Sequence, residues 1–159
     1  MKRKILYALG AIIGIAVLGF AYYAISPLFR NIKVDEALPE ARQAGTQTMP
    51  ESKPQTVLAE VTGTAGHPAS GTVRVIEADG KRYVRYENFK TINGPDLYVY
   101  LAKDLDAKEF VDLGKVKATE GNINYEIPTG IDTSEYHYVL TWCKAFGVLF
   151  NHADLSQTL

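Results

Sequence analysis

The stretch EYHYVLTWCKAFGVLFNHADL, residues 135 to 155, holds Trp142 and Cys143, the only tryptophan and the only cysteine among 159 residues. One thiol admits several chemistries. A disulfide within the chain is excluded, whereas an intermolecular bond or a free, regulated thiol is not. A copper site of the cupredoxin kind wants two histidines, the cysteine and a weak axial methionine. The chain offers His67, His137 and His152, but Met1 is the first residue and Met49 lies in a proline-rich stretch. His137 is six residues from Cys143, about 20 Å along an extended strand, too far to share one metal. The sequence therefore assigns no metal ligands and leaves any cofactor unknown. A cysteine nucleophile needs a base and an orienting group, and no motif supplies them. No nucleophile elbow and no phosphate-cradling glycine loop is present either, so nothing marks the chain as an enzyme.

Period-two alternation predicts the faces around the thiol. Tyr136, Tyr138, Leu140 and Trp142 point one way, and His137, Val139, Thr141 and Cys143 point the other. Cys143 then sits in an apolar strand, away from the helix N-termini and cations that activate a thiol. On residue types alone, an inert core thiol competes with a functional one, because free cysteine is among the most buried residue types.

The elements that hold this stretch are legible as strands. From residue 56 onward, runs rich in Val, Ile, Tyr, Phe and Thr alternate in polarity between turn signals. In GTVRVIEADGKRYVRYENF, the Asp79-Gly80 dipeptide suits a two-residue hairpin turn. Counting outward pairs Val75 with Val84 and Val73 with Tyr86 on a core face, and Ile76 with Tyr83 and Arg74 with Arg85 on the other. Two facing arginines need solvent or an anion between them, and the reading here is a solvated outer face. A turn at Asn93-Gly94-Pro95 leads to Leu97, Val99 and Leu101 on one side, with Tyr98 and Tyr100 on the other. EFVDLGKV and INYEIP supply further strands, and Asp132-Thr133-Ser134 has the residue types of one capped helical turn. Six to eight short strands predict an all-β, antiparallel β-sandwich.

Upstream, Met1-Lys2-Arg3-Lys4 is followed by an uncharged, proline-free run, Ile5 to Ile25. At 1.5 Å per residue, about 30 Å in all, it suffices to cross a bilayer core. The basic start places residues 1 to 4 in the cytoplasm and the chain after Ile25 outside, periplasmic or extracellular. The run exceeds the h-region of a signal peptide, which favours an uncleaved signal-anchor over cleavage. Residues 26 to 55 carry four prolines and no apolar period, and read as a linker to an independently folding domain at 56 to 159. Residues 1 to 55 hold seven Lys/Arg against four Asp/Glu, and residues 56 to 159 ten against fourteen. The domain is mildly acidic and offers no basic face to nucleic acid.

GTVRV, YENFKTINGPDLYVYLAK, LGKVKATEGNINYEIP and YVLTWCKAFGVLFNHADL, in that order, resemble the DM13 domain over nearly all of residues 58 to 155. That family's pattern runs from a Gly-started strand through a Gly-Pro-Asp-Leu turn to a late Trp-Cys and a C-terminal Phe-x-x-Ala-x-Leu. Asn151-His152 stand where a small residue often follows the Phe. The resemblance implies an extracytoplasmic β-sandwich. In animals the family accompanies DOMON domains, which resemble cytochrome domains, and its cysteine is proposed to be redox-active or to assist electron transfer. Carried over by position, that cysteine is Cys143, supported by Trp142, Phe146 and Phe150, with Gly94, Pro95 and Asp96 as the family's loop. Two functions follow as expectations. One is a membrane-tethered redox or electron-transfer accessory module with a redox protein partner. The other is a non-catalytic binding or structural module at the cell surface.

Overall fold

A computed structural model describes residues 2 to 39 and 58 to 156. The apolar run forms α1, Lys2–Ile25. Pro27 follows, and its ring disfavours helical geometry in the residue before it, so the chain tightens into a 3₁₀ turn over Ser26–Phe29. Nine strands follow among the described residues: β1 Lys33–Asp35, β2 Ala59–Gly63, β3 Ala69–Ala78, β4 Lys81–Thr91, β5 Leu97–Ala102, β6 Phe110–Lys115, β7 Glu120–Ile127, β8 Tyr138–Cys143 and β9 Val148–Asp154.

The protein is all-β beyond α1, as expected, but the strands form one continuous sheet rather than two separate ones. The order is β1-β7-β4-β3-β2-β9-β8-β5-β6. β2 is the corner: Ala59 and Glu60 pair with β3, and Val61 to Gly63 pair with β9. The sheet curls so that Val73, Val84, Tyr86, Ile123 and Tyr125 from one half face Val99, Leu101, Val139 and Ala153 from the other across a single core. A smaller cluster of Tyr100, Ala102 and Leu140 lies on the outer face of the second half.

The β3–β4 hairpin has the register that Asp79-Gly80 specifies, with Val73↔Tyr86, Arg74↔Arg85, Val75↔Val84 and Ile76↔Tyr83. Both turn residues take positive φ, 51° and 69°, as a mirror-image turn requires. The arginine face differs from expectation. Arg85 is 5% exposed. The anion between the two arginines comes from the protein itself. Glu87 Oε1 accepts from Arg74 Nη2 at 2.7 Å and from Arg85 Nε at 2.9 Å. Arg85 Nη1 also donates to Asn124 Oδ1 and to the carbonyls of Glu36 and Ala37. Burial pushes the Glu87 carboxyl up, and the two guanidiniums more than offset it, holding it below its ordinary value.

The other difference lies in the stretch read as linker. Its residues 40 to 55 are outside the described residues, but its start is part of the sheet. β1 pairs with β7 in parallel, Val34 opposite Gly121, the one parallel pairing among the described residues. Ile32 O accepts from the N–H groups of Thr119 and Glu120, and Glu36 N–H donates to Asn122 O. Three residues with one half-buried Val34 carry no readable alternation. Their place is set by the open edge of β7, which sequence patterning does not reveal.

Candidate functional site

β8 delivers Cys143 to the inner face, with Val139 and Thr141 on the same side and Tyr138, Leu140 and Trp142 outside. The expected alternation holds within the strand and fails before it. The 3₁₀ turn Thr133–Glu135 precedes β8, so Tyr136 packs on the main core instead of joining Tyr138. His137 is exposed rather than facing inward with the thiol.

Cys143 is free and 0% exposed. It packs with Leu97 and Phe150, and Ile92 and Val116 close the cluster. The loop expected to matter forms its roof. A Cβ on Gly94 would lie 2.9 Å from Phe150 Cζ and 3.0 Å from Leu97 Cδ2, so only glycine lets the backbone lie against that ring. Asn93 Oδ1 accepts from the Gly94 N–H at 2.8 Å, and Asn93 Nδ2 donates to Arg30 O at 3.1 Å. Beyond half-buried Pro95, the carbonyl of Asp96 accepts from Lys144 N–H at 2.9 Å, and Leu97 pairs with Cys143. The Gly-Pro-Asp-Leu turn thus fixes the backbone just after the thiol and sets Leu97 opposite it. On its far face, the Phe150 ring stacks against His67 at 4.0 Å. Thr64 Oγ1 donates its single proton to the β9 backbone, at Leu149 O or Phe150 O, which makes His67 Nδ1 the donor in the 3.0 Å contact between them.

The supporting aromatics are divided. Phe150 covers the thiol, while Trp142 lies on the opposite face with Tyr98 and Leu149. Phe146 is in the β8–β9 turn, 46% exposed, its ring edge-on to Phe20 of α1 at 6.2 Å. His152 is also on the outer face, beside Tyr138, where burial lowers its pKa and Asp154 acts the other way. Among the described residues, no three of His, Cys, Asp and Glu gather as a metal site.

A row of buried polar groups on the same inner face was not anticipated. Thr141 and Asn151 pair across β8 and β9, and Asn151 Nδ2 donates to Thr91 Oγ1 at 3.1 Å. Asn151 Oδ1 has no hydrogen-bond partner among the described residues, and the Thr141 and Tyr86 hydroxyls face only each other, outside normal hydrogen-bond geometry. Burial drives the Tyr86 phenol well above its ordinary pKa, with the Thr141 hydroxyl opposing it. Each such group costs about 1–3 kcal/mol. The signal for them is in the sequence, since Thr141 and Asn151 are polar residues at inward positions of otherwise apolar strands.

A family model described as electron transfer DM13 matches residues 61 to 155. No curated protein and no solved structure matches the chain at a significant level. The match runs from β2 to just past β9 and takes in the Gly94 turn, Cys143 and Phe150, which the fold assembles into one cluster. The chain belongs to the electron-transfer DM13 family.

Proposed function

We propose that this protein is a membrane-tethered accessory module for electron transfer, with Cys143 as its redox group and its β domain on the extracytoplasmic side. The observation that carries this reading is the packing of the Gly94–Leu97 turn and Phe150 around one thiol, two sequence-distant segments of an electron-transfer family meeting at the residue with redox chemistry. α1 is long and apolar enough to cross a membrane and fits an anchor.

A lone thiol has two redox courses. It gives one electron and its proton to an acceptor, or it joins a partner's sulfur in a mixed disulfide, with an external oxidant taking two electrons. The second needs an exposed Sγ, so it requires the Gly94 turn and Phe150 to move. Burial favours the first course and also shields the sulfur from over-oxidation.

The test is a redox titration of the full-length protein, with metal analysis, against Cys143→Ser of verified fold. Reversible oxidation in the native chain and none in the variant is the expected result. Identical behaviour of the two would sink the reading. A second reading, a non-catalytic surface module, is favoured by a separate observation. The outer face of the β5–β6 half carries Tyr98, Tyr100, Phe110, Tyr138 and Trp142, with Lys144 and Lys115 over the Tyr98 ring.

A further inference from the structure

We infer that the Cys143 end of the domain is a lipid-docking surface: the β8–β9 turn inserts Phe146 into the same membrane leaflet that α1 leaves, so that the roof of the cysteine cluster faces the bilayer. This rests on the reading of α1 as an anchor and adds to it an orientation and a depth.

The first observation is the contact between Phe146 and Phe20. Phe20 is five residues before the end of α1 at Ile25. That is about 7.5 Å below the helix end, within the depth of about 5–10 Å at which apolar side chains enter the headgroup and acyl boundary. Phe146 and Val148, 46% and 38% exposed, form an apolar tip at the β8–β9 turn. Lys144 beside them turns its ammonium away from the tip, over the Tyr98 ring and toward Asp112, which leaves the tip itself uncharged.

The second observation is the shortness of the connection. Between Ile25 and β1 there is only the 3₁₀ turn and three residues, and that segment is already bonded to the domain. Asn93 Nδ2 holds Arg30 O, and Ile32 N–H donates to Thr119 Oγ1 at 2.9 Å. The domain therefore cannot stand off on a flexible stalk at this point. Exposed Leu28 and Phe29 extend the apolar rim on the turn itself. Both loops that enclose Cys143, Asn93 to Asp96 and Lys144 to Gly147, are at this end. The turn after Ile127 is at the other, since β7 begins alongside β1 and runs away from it.

The occupant is the lipid surface, because the apolar tip is continuous with the flank of the helix that enters it. A redox partner for Cys143 would then approach from within or along the membrane rather than from the aqueous phase above the domain.

The experiment uses the full chain carrying Trp142→Phe, with a single new tryptophan as Phe146→Trp or Thr129→Trp, in phosphatidylcholine vesicles with plain or brominated acyl chains. Bromine quenches only fluorophores at lipid depth. The expected result is severalfold quenching at 146 and none at 129. Vesicle flotation of the same samples reads the anchor separately. Protein that floats but shows no quenching at 146 overturns the docking and leaves the anchor standing, whereas protein that does not float overturns both. Hydrogen exchange on the unmutated chain in plain vesicles needs no substitution. The amides of residues 145 to 147, which donate to no backbone acceptor among the described residues, should be protected while the exposed 128–130 turn exchanges freely, and equal exchange at both turns would also overturn the docking.

Discussion

Gly94 is the residue on which access to the thiol turns. Its backbone lies against the Phe150 ring at a distance no β-carbon tolerates, and Phe150 in turn lies on Cys143. Gly94→Ala must displace Phe150 or lift the turn, costing about 1–3 kcal/mol in overpacking. Alkylation of Cys143 in the folded variant should accelerate over the native chain, measured with a thiol reagent at neutral pH. An unchanged rate would mean that another route reaches the sulfur. Cys143→Ser should fold but lose stability by about 1–3 kcal/mol, because a buried hydroxyl there meets Leu97, Phe150 and Ile92 rather than a partner. Denaturant melts of the two variants check both figures. The inward position of Cys143 followed from alternation in β8. The roof over it did not, since nothing local in Asn93-Gly94-Pro95 indicates that its glycine will meet a ring 56 residues later.

At the scale of elements, β1 decides how the apolar helix α1 joins the domain. Gly121 has φ of 121°, and a β-carbon there would overlap the carbonyl oxygen of Val34. Gly121→Ala should therefore expel β1 from the edge of β7. The loss would release Arg85 from the carbonyls of Glu36 and Ala37, and Asn124 N–H and Lys117 Nζ from the Glu36 carboxylate. A lower Tm together with rapid amide exchange at Asn122 and Asn124 is the expected signature. A chain starting at residue 40 should show the same defects, and one starting at residue 30 should not. The β3–β4 register was readable to the residue because its turn chemistry is local. β1 was not, because its strand is specified by its partner.

For the whole molecule, acid should be the weak side. The folded state holds Glu87 below its ordinary 4.5 through Arg85 and Arg74, and Asp132 below 3.8 through the Ser134 hydroxyl and N–H. A carboxyl depressed on folding contributes stability that is present above its unfolded pKa and is lost as pH falls through the folded value. Tm should hold from neutral pH to about 4.5 as far as these carboxyls are concerned and fall below it, with Glu87→Gln flattening the decline. Depression of His152 acts in the same direction from about 6.5 downward. The full chain should also partition with membranes and require detergent for release, tested by carbonate extraction. Composition, the apolar run and period-two alternation are properties of neighbouring residues, and they determined an apolar helix followed by an all-β domain, the hairpin register and the inward thiol. The continuous curl through β2, the capture of β1, the burial of Arg85 by an internal carboxylate and the sealing of Cys143 beneath Gly94 each join residues tens of positions apart. Only the curled sheet could decide them, because each depends on which edges and faces remain open once the local elements have formed.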